Sequence, residues 1–215
     1  MSNPDSFIDE VTEEVRRDRL FVMLRRYGWI GILLVVVIVG GAAFNEWRKA
    51  QAEAEAQAFG DALMAGLSAE TPEARRAALA GISTSGERVA VLNLLLASDP
   101  TEDKAASLAA LDTVAADATL PVLWRDLAQL RRVMVAGADM PLADRRAALA
   151  PMAEAGRPYR TLAAEQLAYL LAEEGKAEEA IAALQALIED QEAPGGLRSR
   201  AAQMIVALGG EPKQG

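Results

Sequence analysis

Between Arg26 and Glu46 the chain carries no charged residue. The stretch 27–45 reads Tyr-Gly-Trp-Ile-Gly-Ile-Leu-Leu-Val-Val-Val-Ile-Val-Gly-Gly-Ala-Ala-Phe-Asn. As a helix it would measure roughly 28 Å, close to the thickness of a bilayer's hydrocarbon core. Trp29 and Trp47 stand near its two ends, where amphipathic rings favour the headgroup level. Arg25 and Arg26 close one side, Arg48 and Lys49 the other. A strand of this length is out of keeping with the usual four to eight or so residues, and a soluble core helix normally keeps some polar positions on one edge. A cleaved signal peptide fits poorly, because its apolar region spans only about 7–15 residues and a leader of 26 residues precedes this one. The segment reads as an uncleaved membrane anchor, the lipid bilayer being its first partner.

Charge bias orients it. The leader 1–26 holds five basic residues, Arg16, Arg17, Arg19, Arg25 and Arg26, against Arg48 and Lys49 just after the span. Basic flanks stay cytoplasmic, so the N-terminus is expected inside and residues 46–215 outside, which in a bacterial inner membrane means periplasmic. Within the leader, Ser6 followed by Asp9 looks like a capping box, with Ile8, Val11 and Val15 on one helical face.

The exported part is long enough to bury a core. Aromatics make up 5% of the chain, Ala and Leu dominate, and strand-like runs are absent outside the span, which predicts an all-α domain. A net charge of −9 repels phosphates and argues against nucleic acid as a partner. There is no cysteine and no histidine, which removes thiolate chemistry, the usual general base and the commonest metal ligand. No pair of carboxylates stands out for acid–base work. The expectation is a protein without catalytic residues, cofactor or metal.

Residues 45–67 form an Ala- and Glu-rich continuation, expected to extend the membrane helix outward as a stalk before entering the domain. Thr71 and Pro72 read as cap and first residue of the next helix. Further helices are predicted over 88–98, 102–117, 121–136, 142–154, 159–174, 177–191 and 197–208. Turn signals separate them, among them Asp99-Pro100, Gly175 and Pro194-Gly-Gly. Such short connections make antiparallel neighbours. Sliding the chain on itself by 73 positions superposes Leu111 on Leu184, Asp117 on Asp190, Pro121 on Pro194, Arg125 on Arg198, Ala128 on Ala201, Val133 on Val206 and Gly137 on Gly210. That offset is about two periods of a helix-pair repeat, whose units share a core only when stacked.

Residues 162–192, LAAEQLAYLLAEEGKAEEAIAALQALIEDQE, resemble a tetratricopeptide repeat. Leu167-Ala168 lie in its first helix, Gly175 at its turn, and Ala180, Leu184 and Leu187 in its second. It departs from the pattern at Ala164, where the family has an aromatic residue, and at Pro194, a displaced closing proline. The whole layout, a charged leader ending Arg-Arg-Asp-Arg-Leu, one span and a degenerate repeat domain, is similar to the YfgM-like family, the ancillary subunit of the bacterial Sec translocon. Residues 123–131 and 194–201 carry much of that likeness. The resemblance implies a domain order of cytoplasmic leader 1–26, transmembrane helix 27–45 and periplasmic tetratricopeptide-like α-solenoid 46–215. It also implies the SecYEG translocon, a periplasmic chaperone or prolyl isomerase, and exported polypeptides as partners.

In this repeat class ligands lie against the inner face of each first helix. On the best repeat that face would present Leu162, Glu165, Tyr169 and Glu173, spaced three or four apart. Tyr169 and Trp124 are each either groove residues or packing residues. Arg131, Arg132, Arg145 and Arg146 read as solvated faces. Gly40-Gly-Ala-Ala could admit a second membrane helix. Besides a Sec-associated module, an envelope-assembly or cell-division scaffold and a signalling protein working through its leader are consistent with the same residues.

Overall fold

A computed structural model describes residues 4–213, with side chains described from Phe21 onward, Leu24 excepted. Among these residues there is no strand. Nine helices follow in order: α1 (Pro4–Leu67), α2 (Pro72–Ala80), α3 (Glu87–Leu96), α4 (Lys104–Ala116), α5 (Val122–Ala136), α6 (Leu142–Leu149), α7 (Arg160–Glu173), α8 (Ala177–Glu189) and α9 (Gly195–Ala207). The all-helical expectation holds. The chain divides into two compact units, Met1–Gly60 and Asp61–Gly215. The break falls at Gly60, within the continuous helix α1. The side chains of the Ser6 capping box, with Ile8, Val11 and Val15, lie outside the described residues.

The first unit is helical from Pro4. The segment Arg25–Leu67 is long and apolar enough to cross a membrane, with a mean hydropathy of 2.2 over its most apolar window and none of that window buried. Ile32 to Val39 are all exposed. A core helix of a soluble protein would bury such a window; here every apolar side chain of it faces outward.

In the second unit the helices pack in chain order: α2 on α3, α3 on α4, α4 on α5, α5 on α6, α6 on α7, α7 on α8 and α8 on α9, with α7 also reaching α9. Three small cores follow one another along the chain. Ala90, Leu111, Val114 and Ala128 join α3, α4 and α5. Leu130, Val133, Leu149, Met152 and Ala163 join α5, α6 and α7. Ala168, Leu184, Leu187, Leu197 and Ile205 join α7, α8 and α9. Each core shares a helix with the next: the first shares α5 with the second, and the second shares α7 with the third.

Helix starts repeat at the offset read from sequence. α3 begins at 87 and α7 at 160, α4 at 104 and α8 at 177, α5 at 122 and α9 at 195, each 73 apart. Matched side chains share their burial: Leu111 with Leu184, Val114 with Leu187, Ala90 with Ala163, Ala128 with Ala201. The connections match as well. The Asp117 carboxylate accepts from the Thr119 amide at 2.9 Å, and that of Asp190 from the Glu192 amide at 2.8 Å. Both close a helix by offering the backbone a turn in place of another helical bond.

Local chemistry sets the ends. Thr71 Oγ1 accepts from the Ala74 amide at 3.2 Å, capping α2 with Pro72 behind it. Gly175 takes φ +78 between α7 and α8, a left-handed conformation that costs a side-chain-bearing residue free energy. Two expectations needed adjustment. The helix predicted over 142–154 stops at Leu149 and continues as a 3-10 turn, Ala150–Ala153, because Pro151 can donate no α-helical hydrogen bond. The Pro194-Gly-Gly signal is not a free turn: Pro194 is the residue before α9, and both glycines fall in its first turn. Gly66 marks a close approach, since a Cβ there would lie 2.9 Å from Leu79 Cδ2.

Candidate functional site

The predicted groove lies on α7, and the structure gives its four residues different surroundings. Glu165 is buried, only 2% exposed. Arg200 of α9 grips both its oxygens, Nε to Oε1 at 2.9 Å and Nη2 to Oε2 at 2.7 Å. The Tyr169 hydroxyl donates to the same Oε1 at 3.0 Å. Burial, then the adjoining Glu165 carboxylate, raises the Tyr169 phenol above its ordinary pKa. Glu165 is therefore an internal ion-pair residue of the α7–α9 seam, closed to a ligand by Arg200. Leu162 is half-buried and packs against two of the cores. Glu173, at the other end of α7, is exposed and held by Arg145 of α6, Nη1 and Nη2 to its two oxygens at 2.8 and 2.7 Å. That guanidinium keeps the Glu173 carboxyl below the usual carboxylate range. Three of the four thus serve two separate seams, Glu165 and Tyr169 toward α9 and Glu173 toward α6, while Leu162 packs against the cores.

Of the arginines expected on solvated faces, Arg145 and Arg131 are tied into helix seams, while Arg132 and Arg146 stay partly exposed in ion pairs. Arg145 is buried, and its Nε also donates to the Met140 carbonyl at 3.0 Å. Arg146 pairs with Glu174 and Arg132 with Asp112. Arg131 of α5 donates to the carbonyls of Leu94 and Ala97, at 3.1 and 2.7 Å, so it occupies the C-terminal end of α3 where carbonyls lack helical partners. Arg160 bridges Asp190 and Glu192 at 2.6 Å each, and Arg157 meets the buried Asp126. Sequence reasoning missed this ladder. Apart from Arg132 and Asp112, 20 positions apart, its partners lie 28 to 37 positions apart, roughly one helix pair, which is the signal that was there to find. Trp124 is half-buried against the first core while its Nε1 donates to Glu87 Oε2 at 2.7 Å.

In the first unit the anchor residues Arg25, Arg26, Trp29, Trp47 and Arg48 are all exposed. The Arg26 guanidinium lies 5.8 Å from the Tyr27 ring centroid, and the Phe44 and Trp47 rings are 6.0 Å apart. Along a helix Trp29 and Trp47 are separated by about 27 Å, which sets both at headgroup depth when the segment spans a bilayer. Gly40 and Gly41 have open space where a Cβ would be.

Shallow clefts line the second unit. One, of about 380 Å³, lies between α2 and the start of α4 around Arg76, which pairs with Asp103 at 2.8 Å. Another, of about 470 Å³, lies between the α3–α4 connection and the C-terminal half of α5. Among the described residues no group of three or more His, Cys, Asp or Glu side chains is placed to hold a metal ion. Compared with family models, with curated proteins and with solved structures, the chain gives no match.

Proposed function

We propose that the chain is a single-pass membrane-anchored scaffold for protein–protein interaction. In this reading α2–α9 form a tetratricopeptide-like solenoid, exposed on the periplasmic side of a bacterial inner membrane. The observation that carries it is the pairing of one wholly exposed apolar helix with a series of small cores handed from helix to helix. A helix of that kind is stable in lipid, and a stack of that kind presents extended lateral surface rather than one enclosed pocket. The finer assignment, an ancillary component of the Sec translocon and of a periplasmic chaperone network that assists exported polypeptides, rests on the YfgM-like layout of leader, span and repeats. The scaffold has no catalytic residue in this reading.

The test is in-cell photocrosslinking from positions along residues 30–60, with protease accessibility of spheroplasts alongside. Crosslinks to translocon subunits and digestion of the C-terminal unit from outside are expected. Release of the protein by carbonate, with the C-terminal unit protected, would overturn the membrane reading. Crosslinks to cell-wall or division machinery with none to Sec subunits would replace the Sec assignment by the envelope scaffold.

A further inference from the structure

The two ends of the apolar run in α1 differ in charge. Residues 17–26, before it, hold four arginines and one aspartate, whereas residues 46–55, after it, hold two basic residues and three glutamates. At the C-terminal end Lys49 has Glu53 one turn on, at 3.9 Å. At the N-terminal end Arg25 and Arg26, both exposed, have no such neighbour. The positions three and four away along the helix are Phe21, Val22, Met23, Gly28, Trp29 and Ile30, and the nearest carboxylates in the sequence are Asp18 and Glu46.

Helix direction widens the difference. Side chains tilt toward the N-terminus of a helix, so Arg25 and Arg26 lean out of the apolar run, while Arg48 and Lys49 lean back toward it. Arg25 and Trp29, four apart, share a face, and Gly28 beside them has open space where a Cβ would be. Arg26 lies on the neighbouring face, its guanidinium 5.8 Å from the Tyr27 ring centroid. With Trp29 at the edge of the hydrocarbon, Arg25 stands about 6 Å further out along the helix, at the depth of lipid phosphates. Two guanidiniums without a carboxylate, and an indole N–H one turn inward, make a set of donors for phosphodiester oxygens. We propose that Arg25, Arg26 and Trp29 bind the head groups of anionic phospholipids in the leaflet where the arginines lie. A zwitterionic head group carries its own ammonium; an anionic one supplies the countercharge that α1 lacks at this end. The inference rests on the membrane reading of α1 and holds for either orientation of the chain.

The experiment is tryptophan quenching by brominated lipid, with the full chain in nanodiscs of phosphatidylcholine and phosphatidylglycerol in equal parts, one or the other brominated. The W47F/W124F variant reports from Trp29, and W29F/W124F reports from Trp47. Quenching at Trp29 should reveal about fivefold enrichment of phosphatidylglycerol over phosphatidylcholine. The preference should shrink in R25Q and in R26Q, vanish in R25Q/R26Q and persist in R48Q/K49Q, with near parity at Trp47 throughout. Parity at Trp29 with both arginines present, a preference that survives R25Q/R26Q, or an equal preference at Trp47 would each overturn the inference and leave the membrane anchor standing. Quenching of Trp29 by neither lipid would overturn the anchor as well.

Discussion

The two halves of the helical unit, 87–136 and 160–207, are built on one template and finished differently. Four core positions coincide, Leu111 with Leu184, Val114 with Leu187, Leu120 with Ala193 and Ala128 with Ala201, whereas the buried Ile205 answers to Arg132. Their seams differ: where the first half has Leu92 and Leu127, the second has Glu165 and Arg200, a buried carboxylate gripped by a guanidinium. Their outer faces diverge as well. Val133 is buried against α6 and α7, whereas its counterpart Val206 is 60% exposed, because no described helix follows α9 to cover it. The shared core positions therefore follow the repeat, while seams, faces and the remaining buried positions follow what lies next to each helix.

The largest expected effect tests the shared core. Leu111→Ala and Leu184→Ala each remove a fully buried leucine, and each should cost about 3 kcal/mol in urea unfolding. A loss confined to one of them would break the equivalence of the halves. Next comes the seam. Arg200→Ala strands the Glu165 carboxylate and should cost about 2–3 kcal/mol. Installing the first half's solution, Glu165→Leu with Arg200→Leu, should recover most of that loss, since well-packed apolar pairs commonly replace buried ion pairs without cost. If the double variant is as unstable as Arg200→Ala, the seam is not interchangeable.

Val133→Ala should destabilise by about 2 kcal/mol through lost apolar burial. Val206→Ala should be neutral or stabilising by about 0.5 kcal/mol, since alanine is the better helix former on an open face. Equal losses would mean that Val206 is covered in solution. The smallest effect concerns pH. Arg145 depresses the Glu173 pKa, so the pair contributes stability above the carboxylate's unfolded pKa and loses it as pH falls through the lower folded value. Between neutral pH and the acid side of the carboxylate range, the wild type should lose more stability than Glu173→Gln. Identical acid slopes would show that this exposed pair contributes nothing.

Much of this arrangement was legible in the residues. The charge-free run marked α1, Thr71-Pro72 the start of α2, and Gly175 the turn after α7. The 73-residue offset anticipated three pairs of helix starts. What escaped was partner choice. Nothing local to Arg145 or Arg131 says whether a guanidinium reaches water, a carboxylate on the next helix or the carbonyls ending another. Glu165 had the spacing of an open groove position, and only Arg200, from a helix 35 residues on, closes it. The apolar period runs on to 154, but Pro151 turns its second half into a 3-10 turn.

The sequence by itself determined which segments are helical, that one of them is apolar enough for lipid, and that the rest repeat, because period, caps and proline act within a few residues of chain. Tertiary structure alone decided which charges are buried and paired and which of Val133 and Val206 stays open. Burial and ion pairing depend on residues about one helix pair away, brought together only when the helices pack.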